Sequence, residues 1–99
     1  MNTFESTEQF DAWLRGLKDR TAKAKILNRI DSAILGNFGD CKPVGSGVSE
    51  MRIHWGPGYR VYFTQVANVV YMLLAGGDKS SQQRNIIEAV EMAQQLKRN

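Results

Sequence analysis

Cysteine is almost absent from this chain, with Cys41 the only one among 99 residues. A single cysteine cannot form an internal disulfide, and it has no second cysteine with which to build a zinc site. Histidine is equally scarce, because His54 is also alone of its kind. The sequence therefore predicts a protein without disulfides, metal or cofactor that suits the reducing cytoplasm.

Long hydrophobic runs are also missing. The longest, from Val69 to Ala75, is far shorter than the roughly 20 residues that a membrane-spanning helix needs. The first ten residues, MNTFESTEQF, have neither the basic start nor the apolar segment of a signal peptide. The chain has the length of one domain and contains no internal repeat. We therefore expect a single cytoplasmic domain over residues 1–99, without contact with a membrane.

The net charge is only +3, but the basic residues are unevenly distributed. A dense basic segment can be an ordinary solvated helix face or a surface that contacts a polyanion. Six of the 13 lysines and arginines lie in one short segment: Arg15, Lys18, Arg20, Lys23, Lys25 and Arg29. We expect this segment to contact a polyanion.

The spacing of apolar residues predicts two helices and then a change to strands. Thr7 is placed to cap a first helix, and a second begins near Asp19 or Arg20 and ends at Gly36. From Val48 the apolar residues alternate, which predicts two strands joined by a turn at 56–58.

The apolar run 69–75 predicts a central strand, with a short N-terminal strand near residues 2–5 beside it. Ser80 and Gln83 form a capping pattern for a last amphipathic helix. The prediction is an α+β fold in the order β-α-α-β-β-β-α.

Strict alternation along the two strands sorts their side chains onto two faces. It assigns one set to the core: Met51, Ile53, Trp55, Val61 and Phe63. It assigns another set to the opposite, polar face: Arg52, His54, Arg60 and Tyr62. Two guanidinium groups favour a bound phosphate, and a histidine can exchange a proton near neutral pH. This set meets the needs of metal-free RNA cleavage by a neighbouring 2′-hydroxyl.

A purely structural interpretation of these residues is also open. Arg52 and Arg60 can pair with Glu50 across the sheet, Tyr62 can serve packing, and His54 can be an ordinary surface residue. The stretch GGDKSS has two interpretations as well. Its glycines can permit a turn before a capped helix, or Lys79 and the helix start can form an anion site.

The run from 36 to 57, GNFGDCKPVGSGVSEMRIHWGP, continues through GYRVYF and ends in GGDKSSQ. It resembles the RelE/ParE superfamily of type II toxin–antitoxin toxins, in its phage-type, HigB-like branch, and the resemblance covers most of the chain. It implies a small twisted, mainly antiparallel sheet with an N-terminal helical hairpin and a C-terminal helix. It also implies a growth-arresting toxin that a cognate antitoxin, usually of the helix-turn-helix type, holds inactive.

The resemblance implies a ribosome-dependent endoribonuclease that cuts mRNA, with the ribosome and mRNA as partners. Two alternatives remain, a ParE-like inhibitor of DNA gyrase and a noncatalytic nucleic-acid or protein-binding module. The expected catalytic residues are Arg52, His54, Arg60 and Lys79. The expected RNA-binding residues are Lys18, Arg20, Lys23, Lys25, Arg29, Tyr62 and Arg84.

Overall fold

The computed structural model describes residues 1–98, which form an α+β fold of five strands and three α-helices. The elements are β1 (Thr3–Ser6), α1 (Glu8–Gly16), α2 (Arg20–Ile34), β2 (Cys41–Gly45), β3 (Val48–Ile53), β4 (Tyr59–Ala67), β5 (Val70–Asp78) and α3 (Gln82–Arg98). A short 3₁₀ turn, Lys79–Ser81, joins β5 to α3. None of the helices in the described part is both long and apolar enough to cross a bilayer.

The strands form one mixed sheet in the order β1-β5-β4-β3-β2. β1 runs parallel to β5, whereas the other neighbours are antiparallel. This confirms the expected α+β class and the placement of β5 between β4 and the N-terminal strand.

Both predicted N-terminal helices are confirmed, together with the Thr7 cap. The Thr7 side chain accepts a hydrogen bond from the Phe10 amide at 3.1 Å and starts α1. Asp19 accepts hydrogen bonds from the amides of Thr21 and Ala22 and starts α2. α2 ends at Ile34, and Gly36 follows with φ +99°, a left-handed conformation that glycine adopts without strain.

Helices cover both faces of the sheet. On the face that we call the α1/α2 face, strand residues such as Met51, Val61 and Phe63 pack against apolar residues of α1 and α2. On the opposite face, the α3 face, Tyr62 packs with Ala89 and other residues of α3. The face that alternation assigned to polar side chains is therefore partly covered by α3.

The sequence did not predict β2, an edge strand that contains Pro43 and Gly45. An edge strand tolerates proline because one side of it needs no hydrogen bonds. Ser46 and Gly47 connect β2 to β3 with φ values of 55° and 80°, as a two-residue hairpin turn requires. The glycine and proline residues in and beside this strand interrupt the alternation of apolar residues, so the sequence pattern did not predict it.

Gly76 and Gly77 lie inside β5 and not in a turn, which corrects one of the two interpretations of the GGDKSS stretch. A Cβ atom on Gly76 would lie 2.1 Å from the Trp13 ring of α1. On Gly77 it would lie 2.0 Å from the amide oxygen of Asn85 in α3. The two glycines thus let helices approach the strand from opposite faces. The cap of the following turn is Asp78 with Ser81, not Ser80 with Gln83.

Candidate functional site

A buried carboxylate organises the α3 face of β3 and β4. Glu50 has no exposed surface, and it lies opposite Tyr62 while Arg52 lies opposite Arg60. The Nε atom of Arg52 is 2.9 Å from Oε1 of Glu50. The Tyr62 hydroxyl donates to Oε2 at 3.0 Å, and the Gln82 amide of α3 donates to the same oxygen at 2.8 Å. We call this set, with Arg60 at 3.8 Å, the Glu50 network.

The Glu50 network keeps its carboxylate ionised. Burial by itself raises the pKa of Glu50, but hydrogen bonds from Arg52, Gln82 and Tyr62 outweigh burial, so the pKa of Glu50 is lowered. Burial and the Glu50 charge raise the pKa of Tyr62 far above its usual value, so its hydroxyl remains a donor. The two arginine charges on this face therefore share one fixed internal anion.

Three sequence predictions for this face need correction or refinement. Tyr62 has no exposed surface, so it cannot stack on an RNA base while α3 stays in place. The Arg60 side chain is 11% exposed, and its Nε atom is buried without a hydrogen-bonding partner among residues 1–98. Arg52 is 29% exposed and still reaches solvent. The contacts of these residues agree with the structural interpretation: the two arginines pair with Glu50, and Tyr62 packs against α3.

His54 does not lie within the sheet, because β3 ends at Ile53 and strand alternation ends with it. Its side chain is 74% exposed, and Nε2 lies 2.6 Å from Oδ2 of Asp40. This hydrogen bond is the main cause of a lowered pKa of Asp40. When Nε2 carries the proton donated to Asp40, Nδ1 is the free, basic nitrogen. The His54–Asp40 pair thus resembles a proton-transfer group with its orienting carboxylate.

His54 forms part of the wall of a cavity of about 330 Å³ between α2 and the end of β3. The α2 residues of this wall are Lys25, Asn28, Arg29 and Ser32, and Ile53 is the apolar member. The structure therefore brings His54 together with Lys25 and Arg29 of the predicted residues. The arginines of the Glu50 network are not among the residues that form this wall.

Arg29 braces this region and is only partly exposed. Its guanidinium donates to the carbonyl oxygens of Arg52, Phe38 and Asp40. These bonds hold the end of β3 against the segment that carries Asp40. The assignment of Arg29 as an RNA contact stays a prediction, and these hydrogen bonds add a role in positioning Asp40. Sequence reasoning missed Asp40, because its segment leads into the unpredicted β2.

Trp55 was expected in the core, but it is 39% exposed, because it lies in the turn beyond the end of β3. Its indole N–H donates to Oδ2 of Asp19 at 3.0 Å, and this bond is the main cause of the lowered pKa of Asp19. The Nζ atom of Lys25 lies 4.8 Å from the ring centroid, a cation–π geometry. The turn is thereby tied to the start of α2.

The other predicted basic residues lie on the surface. Lys79 is exposed, and its Cβ is 3.5 Å from the position that a Cβ on Gly58 would take. Because Tyr59 pairs with Asp78 in the sheet, Lys79 and His54 flank the same end of the β3–β4 hairpin. The remaining exposed residues are Lys18, Arg20 and Arg84, and Lys23 is partly exposed. Among residues 1–98, no cluster of three or more His, Cys, Asp or Glu side chains could hold a metal ion.

Comparison with known proteins identifies a relative of this chain. No model of a known protein family matches it. It is 49% identical over 92 residues to a Haemophilus influenzae protein described as an uncharacterized protein, and the alignment covers 93% of each chain. The chain belongs to the family of this H. influenzae protein.

Proposed function

We propose that this protein is the toxin of a type II toxin–antitoxin system and cleaves mRNA on the ribosome without a metal ion. The observation that carries the proposal is the exposed His54–Asp40 pair beside a cavity with Lys25 in its wall. The resemblance of the segments around β2, β3, β4 and the 3₁₀ turn to HigB-like toxins supports it. The fold, with two helices between β1 and the other four strands and one helix after them, is consistent with that resemblance.

In the proposed reaction, Nδ1 of His54 takes the proton of a ribose 2′-hydroxyl, and the 2′-oxygen forms a bond to the neighbouring phosphorus. The bond from phosphorus to the 5′-oxygen breaks, that oxygen takes a proton from a solvent water, and His54 returns its own proton to solvent. The products are a 2′,3′-cyclic phosphate and a 5′-hydroxyl. Asp40 stabilises the imidazolium that forms, because it already accepts a hydrogen bond from Nε2.

Cationic side chains stabilise the negative charge that builds on the phosphorus oxygens. We assign this role to Lys25 beside His54 and to Lys79 at the hairpin end, since both are exposed. Arg52 is partly exposed and can share its guanidinium with a phosphate. Arg60 is nearly buried, so its proposed role is to hold Glu50 and not to contact RNA.

The test is expression of the chain without antitoxin, followed by mapping of the 5′ ends of cellular RNA. We expect new ends that carry a 5′-hydroxyl and lie within translated mRNA. His54→Ala should lower cleavage by roughly 100- to 10,000-fold, the usual contribution of general acid–base catalysis. Asp40→Asn should lower cleavage less, because His54 keeps the ring nitrogen that takes the proton and loses only its orienting carboxylate.

The control variant is Gln94→Ala, which removes an exposed amide of α3 and should leave cleavage unchanged. Circular dichroism establishes that the variants fold. Full toxicity of His54→Ala would contradict the proposed chemistry. DNA breaks and an SOS response without RNA ends would instead identify a gyrase inhibitor.

A further inference from the structure

The cavity beside His54 offers polar groups that the proposed cleavage chemistry does not use. We infer that this cavity is a base-binding subsite, in which Asn28 and Ser32 contact the edge of one unpaired RNA base. The inference rests on the proposed function for the identity of the ligand as RNA. It adds residues that select which nucleotide lies next to the cleaved bond.

The placement of Asn28 and Ser32 follows from the helix. They are four residues apart in α2, so their side chains lie on the same face, one turn apart. The buried Ile53 supplies an apolar surface at the end of β3. A volume of about 330 Å³ lies at the small end of the ligand-pocket range, about 300 to 1,000 Å³. Such a cavity has room for one base, and its open side leaves space for the rest of the nucleotide.

These two side chains are free to bind a ligand. The hydrogen bonds around the cavity engage Arg29, His54 and Asp40, and within residues 1–98 none of them engages the Asn28 amide or the Ser32 hydroxyl. An asparagine amide offers one donor group and one acceptor, which match the N6 and N7 atoms of adenine. Proteins recognise single-stranded RNA mainly through such base edges. We therefore expect adenine to be preferred.

The neighbouring charges agree with a nucleotide as the ligand. Lys25 lies one turn before Asn28 on the same wall and can contact the phosphate of the bound nucleotide. His54 belongs to the wall as well, so a base held by Asn28 lies close to the group that moves the proton. The base subsite and the proposed reaction centre thus both include His54.

The experiment titrates the wild-type protein with each of the four nucleoside 5′-monophosphates and, separately, with inorganic phosphate. Binding is monitored by the NMR chemical shifts of the backbone amides. A monophosphate has no phosphodiester to cleave, so the result does not depend on catalysis. We expect AMP to shift the amides of residues 25–32 and 53–54 and to bind more tightly than UMP or CMP. Asn28→Ala should weaken AMP binding about fivefold, the lower end of discrimination by such a contact, and Ser32→Ala should also weaken it.

Gln94→Ala is the matched control, because it removes an exposed helix amide that does not line the cavity. Equal shifts and affinities for phosphate and for all four monophosphates would overturn the base-binding inference. RNA cleavage without monophosphate binding at this cavity would also overturn it and leave the proposed function standing. Monophosphate binding that Asn28→Ala weakens, in a protein that cleaves no RNA, would overturn the proposed function and leave the base subsite standing.

Discussion

Replacing Glu50 by glutamine tests the role of the Glu50 network most directly. The substitution keeps the size of the side chain and an oxygen that can accept hydrogen bonds, but it removes the negative charge. Arg60, with a side chain only 11% exposed, then has a positive charge without its internal partner. Arg52 loses the same partner but can turn part of its guanidinium to water, since it is 29% exposed.

The size of the effect follows from this difference in exposure. Removing one partner of a buried ion pair costs about 3 to 5 kcal/mol, because the other charge stays buried without compensation. Partial solvation of Arg52 points to the lower end, about 3 kcal/mol. Domains of this size are stable by about 5 to 15 kcal/mol, so Glu50→Gln removes a large share of the stability.

Urea unfolding, followed by circular dichroism, measures this loss. With a slope of about 1 to 3 kcal/mol per molar urea, the midpoint should fall by about 1 to 3 M. The matched control is Glu8→Gln, which breaks an ion pair whose side chains are 84% and 67% exposed. Such a surface pair contributes about 1 kcal/mol or less, so its midpoint should barely move.

A second variant keeps the prediction testable when Glu50→Gln unfolds extensively. The double variant Glu50→Gln, Arg60→Met removes the buried positive charge together with its partner, so it should be more stable than Glu50→Gln alone. The reasoning is refuted if Glu50→Gln and Glu8→Gln lower the urea midpoint by the same small amount. It is also refuted when the double variant is less stable than Glu50→Gln.

Three further predictions concern pH, packing and charge. Folding lowers the pKa of Glu50, so the stability that its carboxylate gives the fold is fully present above the unfolded pKa of 4.5 and is lost as pH falls through the folded pKa. The difference in unfolding free energy between wild type and Glu50→Gln should therefore shrink below pH 4.5, and a constant difference would contradict this. Gly77→Ala should lower stability in thermal unfolding by about 1 to 3 kcal/mol, because the added Cβ atom clashes with α3. In the control Gly16→Ala the added Cβ atom has no other atom within 4 Å, so the change should be neutral or stabilising. Equal effects of the two substitutions would refute the packing argument. Lys25→Glu should weaken ribosome binding and its salt dependence more than Lys97→Glu on α3, as measured by cosedimentation at several salt concentrations, and equal binding would mean that α2 is solvated surface only.

The helices and the core strands could be predicted because their signals are local. Thr7 and Asp19 cap the first two helices through hydrogen bonds within a few residues, and apolar spacing marks the buried stripe. Alternation along β3 and β4 correctly separates Met51 and Val61 from Arg52. Such local patterns determine an element before its tertiary neighbours are known.

The parts of the site that escaped prediction depend on contacts distant in the sequence. Asp40 meets His54 across 14 positions, through a loop that Arg29 holds in place. Trp55 leaves the core because β3 ends two residues earlier, a boundary that alternation alone cannot give. The burial of Tyr62 depends on where α3 packs, which the strand sequence does not contain.

Under the proposed function, RNA must approach the hairpin from a side that α3 does not cover. For a phosphate to take the place of Glu50, Gln82 would have to give up its bond to the carboxylate, and the buried Ala89 and Ala93 of α3 would be exposed. That exposure costs about 25 cal/mol for each Å² of apolar surface, and it leaves the displaced carboxylate to be solvated. On the α2 side, His54 and Lys25 are already exposed, so binding there requires no helix to move. We therefore expect RNA to reach His54 from the α2 side.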